Sequence, residues 1–125
     1  IWAQAGDKVV VPAGFGHVTV NPGDTWLVLA NWVAREFSSL YDEFRCLRGA
    51  AYYYLAADPP VLRKNDLYAA VPEPERLTGT QLWGLDLSLD RPIYTQFLED
   101  PGRFRFLTHP EEVRWEDCGA EGDNI

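Results

Sequence analysis

Residues 6–21 read GDKVVVPAGFGHVTVN. Gly6, Pro12, Gly14, His17 and Asn21 are separated by five, one, two and three residues in a largely apolar run. Glycine accepts positive φ, so Gly6 and Gly14 mark tight turns at the ends of a short strand. Pro12 fixes its own φ and stiffens the corner. His17 then opens the next strand. A neutral imidazole in that position is a good ligand for a divalent metal. The competing reading is a packed, hydrogen-bonded histidine.

The neighbouring text extends the β reading. KVVV (8–11) is β-branched and short, and HVTV (17–20) alternates polar and apolar. NPGD (21–24) is turn chemistry, since Pro presets φ and Gly accepts φ > 0. TWLVLANWV (25–33) reads as a well-buried strand. On it Val28, Ala30 and Trp32 share one face, and Leu27, Leu29 and Asn31 the other. Three strands joined by tight turns predict an antiparallel sandwich or barrel.

The period then changes. Ser38 or Ser39 caps a predicted helix near Ser39–Arg48, with Leu40, Phe44 and Leu47 on one face and Gly49 ending it. AAYYYLAA (50–57) returns to strand, with Tyr52–Tyr54 split between two faces, and DPP closes it. From Asp58 to about Leu89 the text is irregular and predicts an extended segment wrapping the core. Asp90 caps a helix carrying Ile93, Phe97 and Leu98 on one face. Pro110 opens a further short helix, so His109 reads as a helix-start residue rather than a ligand. CGAEGDNI (118–125) predicts a disordered tail. No internal repeat is visible.

Composition bounds the class. A chain of 125 residues with 46% hydrophobic and 14% aromatic residues builds one core. Its formal charge of −8 opposes general electrostatic binding to nucleic acid or an anionic membrane. Cys46 and Cys118 form no CxxC pattern, so neither a disulfide framework nor a zinc site is indicated. Reduced thiols in a cytoplasmic protein are the simple reading. No stretch has the length of a transmembrane span or the pattern of a signal peptide. The chain starts at Ile1 and contains no Met, which predicts a fragment lacking its N-terminal part.

The five-position pattern resembles the second motif of the cupin superfamily. The flanking text VVVPAGFGHVTVNPGD, LANW, and LYDEF followed by RGAAYY is similar to cupin-type glucose-6-phosphate isomerases of archaea and some bacteria. RPIYTQFLEDPGRFRFLTHPEEV (91–113) resembles the C-terminal extension of the bacterial relatives. The resemblance implies an all-β cupin fold, a jelly-roll barrel incomplete at its N-terminus with a few C-terminal helices. Residues 1–57 would be the C-terminal half of the barrel and 58–125 a wrapping extension. An open barrel predicts a homodimer, or the missing N-terminal half or a partner chain closing the gap.

The resemblance also implies a chemistry. It gives His17 to a divalent metal (iron, manganese, zinc or nickel) and places Trp32 and Tyr41 near the sugar or its phosphate. Tyr41 is the catalytic candidate, and Trp32 and Arg35 the substrate-binding ones. Arg35, Arg45 and Arg48 are planar forks suited to a phosphate, or else partners for the acidic surplus. Trp32 and Tyr41 equally suit packing. Two departures stand out. The family's first motif, His-x-His followed by Glu, is absent, although it supplies three of the four metal ligands. Ser39 stands where archaeal members carry a histidine. The alternatives are another metal-dependent cupin enzyme, such as an oxygenase or epimerase, and a non-catalytic cupin-fold sugar-binding module.

Overall fold

The structure, a computed structural model, describes residues 1–115. They fall into two compact units. The first comprises Ile1–Phe15, Trp32–Arg35 and the chain from Glu75 onward; the second comprises Gly16–Asn31 and Glu36–Pro74.

The second unit is built around helix α1 (Asp42–Cys46) and strands β1 (Tyr52–Leu55) and β2 (Val61–Lys64). Asp42 and Glu43 sit in the first turn of α1, where negative charge suits the free backbone N–H groups. The helix ends in a Schellman motif: Arg48 N–H donates to Arg45 C=O at 3.3 Å and Gly49 N–H to Phe44 C=O at 2.8 Å. Arg48 (φ 56°) takes the left-handed position and Gly49 has φ 129°. β1 and β2 pair antiparallel, with Tyr52 opposite Lys64 and Leu55 opposite Val61.

One buried amide ties helix to sheet. Asn65, 2% exposed, donates from Nδ2 to Leu47 C=O at 2.8 Å and Ala50 C=O at 3.0 Å. Its Oδ1 accepts from Leu67 N–H at 3.1 Å, and its backbone N–H donates to Ala51 C=O at 2.8 Å. Every polar group of the residue thus has a partner, the condition for burying an amide without penalty. Tyr53 and Tyr68 add hydroxyl bonds to Arg48 C=O and Gly49 C=O at 3.1 and 3.0 Å.

The first unit joins segments far apart in sequence. Residues 2–10 run parallel to 77–81 through two isolated bridges, Trp2 with Thr78 and Val9 with Gln81. The Trp83 indole N–H donates to Val10 C=O at 2.8 Å. Helix α2 (Ile93–Glu99) is followed by a 3₁₀ helix, Pro101–Leu107, and a shorter one, Pro110–Glu112. Asp100 caps the first 3₁₀ helix, accepting from Gly102 N–H at 3.0 Å. Phe104 is buried, and its ring lies 5.5 Å from Phe97 and 6.2 Å from Trp32.

Several expectations are corrected. Most of the barrel strands expected over residues 1–57 are absent from the described residues, which hold one two-stranded sheet and a few short helices, consistent with a partial cupin-type domain. Residues 17–20 and 25–33 form no strand among the described residues. A strand is a property of a pair, and these residues find no ladder partner; Trp26 is 96% exposed. KVVV pairs at Val9 alone, and in parallel. β2 lies in text read as irregular. The cap of α1 is Tyr41, without a side-chain bond, and that of α2 is Pro92 rather than Asp90. On α2 the buried residue is Gln96, while Leu98 is exposed, because Gln96 finds backbone partners in the preceding loop. Residues 118–125 lie outside the described residues.

Candidate functional site

The glycine turns that frame the opening stretch are formed. Asp7 N–H donates to Gln4 C=O at 3.0 Å with Gly6 at φ 94°, and Phe15 N–H donates to Pro12 C=O at 3.2 Å with Gly14 at φ 83°. In each the glycine is the third residue of a four-residue turn, the position that demands positive φ in a type II turn. Pro12 is buried at the second corner.

His17 follows in the second unit and is exposed. The preceding Gly16 lies close to α1: a Cβ there would meet Phe44 Cζ at 3.1 Å, a tight contact. Tyr41, the N-cap of α1, stands one turn before Phe44 on the same helix. Tyr41 is 59% exposed, and its hydroxyl takes no hydrogen bond among the described residues. Beyond His17 the chain turns at Asn21, whose side chain accepts from Gly23 N–H at 3.2 Å and donates to Thr25 C=O at 2.7 Å. An open groove beside this turn is lined by Thr19, Asn21, Asp24, Trp26 and Leu29.

Trp32 and Arg35 belong to the first unit. The Trp32 ring packs at 4.9 Å from Phe97 and 5.7 Å from Tyr94, and the residue is half-buried. Phe97 was legible as an apolar helix position, but Tyr94 and Phe104 were not, nor was Trp32 as their common neighbour. Arg35 is exposed and makes no ion pair among the described residues. Arg45 lies 3.8 Å from Asp42, whereas Arg91, Arg103 and Arg105 pair with Glu99, with Asp86 and Asp100, and with Glu112. The Arg105 guanidinium grips Glu112 through two 2.7 Å bonds, which holds the Glu112 carboxyl below its ordinary range.

Among the described residues no three His, Cys, Asp or Glu side chains gather to hold a metal ion. A protein metal site takes three or four ligands, so these residues on their own do not fit one. His109, the N-cap of the last 3₁₀ helix, meets Thr108 Oγ1 at 2.8 Å through Nδ1, in keeping with a helix-start role. Cys46 is a free, exposed thiol. Among the described residues no helix is long and apolar enough to cross a membrane.

A family model described as glucose-6-phosphate isomerase (GPI) matches residues 1–70, and the chain belongs to that family, as the resemblance carried by VVVPAGFGHVTVNPGD, LANW, LYDEF and RGAAYY implied. Comparison with curated proteins and with solved structures found no match.

Proposed function

We propose that the protein is a metal-dependent glucose-6-phosphate isomerase, interconverting glucose 6-phosphate and fructose 6-phosphate. The family match over residues 1–70 carries this reading, because His17, Trp32, Arg35 and Tyr41 all lie within it. His17 contributes one ligand to an iron, manganese, zinc or nickel ion, and the other ligands come from outside the described residues. In this reading residues 1–57 form part of a cupin barrel that an N-terminal half or a partner chain of a homodimer completes, and the described residues from 58 onward form the wrapping extension.

Isomerisation moves hydrogen between C1 and C2 of the open-chain sugar. In the proton-transfer route a base takes the C2 proton, a cis-enediol forms, and the proton returns at C1. A hydride shift is the rival route. In this reading the Tyr41 phenol donates to a sugar oxygen. The unpaired Arg35 fork suits the phosphate, and the Trp32 indole suits the apolar face of the sugar.

The test is metal content and glucose-6-phosphate isomerase activity of the whole protein with and without His17→Ala. The expected result is loss of activity that excess metal partly restores. Unchanged metal and activity would remove His17 from the site. A metal-replete wild type without isomerase activity would indicate another metal-dependent cupin enzyme. A metal-free wild type that still binds sugar would indicate the binding module, which Ser39 favours.

A further inference from the structure

We infer that Tyr94, on the part of the chain beyond the family match, is a second sugar contact beside Trp32. The inference rests on the reading of Trp32 as a substrate-binding residue. Tyr94 stands in the first turn of α2, with its ring 5.7 Å from the Trp32 ring and tilted by 56°. Phe97 and buried Phe104 hold the same indole at 4.9 and 6.2 Å, which fixes the angle of the aromatic corner. Tyr94 nevertheless remains 59% exposed, and its hydroxyl has no hydrogen-bond partner among the described residues. Arg35, three residues after Trp32, is exposed and without an ion pair among them. A phosphorylated polyol presents an apolar C–H face, hydroxyl groups and a dianion. The corner offers an aromatic platform and a free phenol. A tyrosine that served only the packing would need its ring and not its hydroxyl.

Tyr94→Phe keeps the ring and removes the hydroxyl, and the exposure of the site makes unfolding no concern. The dissociation constant for glucose 6-phosphate is measured by calorimetry on the whole protein, with KM and kcat alongside. Loss of one neutral hydrogen bond predicts a rise of about three- to tenfold in the dissociation constant and KM, with kcat within about twofold. Tyr94→Ala weakens binding further. Trp32→Phe is the companion variant. If it weakens binding and both Tyr94 variants leave it unchanged, the Tyr94 assignment is overturned and the Trp32 reading stands. If neither position affects binding, or the wild type binds no glucose 6-phosphate, both fall.

Discussion

The side chain of Gln96 closes a two-way pair with the backbone of Ser88: its Oε1 accepts from Ser88 N–H at 2.6 Å, and its Nε2 donates to Ser88 C=O at 3.2 Å. The same Nε2 donates to Arg91 C=O at 2.8 Å. At 1% exposure the amide has no water to replace these partners. It holds the loop before α2 in the register that carries Tyr94 and Phe97 to Trp32. Gln96→Glu, the same shape without donors, sets a carboxylate against two carbonyls. A loss of about 2–4 kcal/mol is expected, read by thermal or urea unfolding. A variant as stable as the wild type would mean that water reaches the site.

Asn65 plays the matching part in the second unit. Asn65→Ala leaves the carbonyls of Leu47 and Ala50 without their donor. The expected cost is about 2–3 kcal/mol. Hydrogen exchange should localise the loosening to the α1–β1 corner, with the backbone amides of Gly49 and Leu67 exchanging faster.

The end of α1 offers substitutions of opposite sign. Arg48 occupies a left-handed position at φ 56° that costs an L-residue about 1 kcal/mol. Arg48→Gly is therefore expected to raise stability by about 0.5–1 kcal/mol. Gly49→Ala should lower it by about 1–3 kcal/mol, since φ is 129° and the added Cβ would meet Tyr53 Cε1 at 3.1 Å. Paired melting curves decide both.

The two glycine turns ahead of His17 isolate the backbone term. No atom lies within 4 Å of a Cβ placed on Gly6 or Gly14, yet both have positive φ. Gly6→Ala and Gly14→Ala should each cost about 1 kcal/mol, and the double variant should cost their sum. Marked non-additivity in a double-mutant cycle would show that the turns are coupled.

Acid should weaken the C-terminal 3₁₀ region through Glu112. The bond to Arg105, ahead of the charge attraction, lowers the folded-state pKa of Glu112. A depressed carboxyl contributes stability that is present above its unfolded pKa and is lost as pH falls through the folded one. Both groups are exposed, so the contribution is small and salt-sensitive. Glu112→Gln should flatten the acid limb of the stability–pH curve and leave the neutral plateau nearly unchanged. An identical acid limb in the variant would exclude this pair.

What was legible in the sequence is local. Gly6, Gly14 and the Asn21 turn are read correctly because a turn needs only its own four residues. The helix before Gly49, the YYYL strand and the Pro110 start follow for the same reason. TWLVLANWV has every mark of a strand and is none, since no propensity supplies the neighbour that a ladder requires. The Asn65 and Gln96 clamps were not visible, because their partners are backbone carbonyls chosen by the tertiary path. For the candidate site, the family resemblance pointed to His17, Trp32 and Tyr41, and side-chain chemistry to Arg35. The arrangement that surrounds Trp32 with Tyr94 and Phe97 belongs to a part of the chain some sixty residues further on, and spacing carries no trace of it.

The joining of Val10 to Trp83, 73 residues along, has a consequence for biosynthesis. On the ribosome the first ten residues emerge long before residues 77–83 exist, and at about 5–20 residues per second they wait for several seconds. During that interval α1, β1 and β2, whose contacts are short-range, have all they need to form. The segment holding α1, β1 and β2 is therefore expected to assemble before residues 1–10 dock, and those residues stay exposed to chaperones until the later indole arrives.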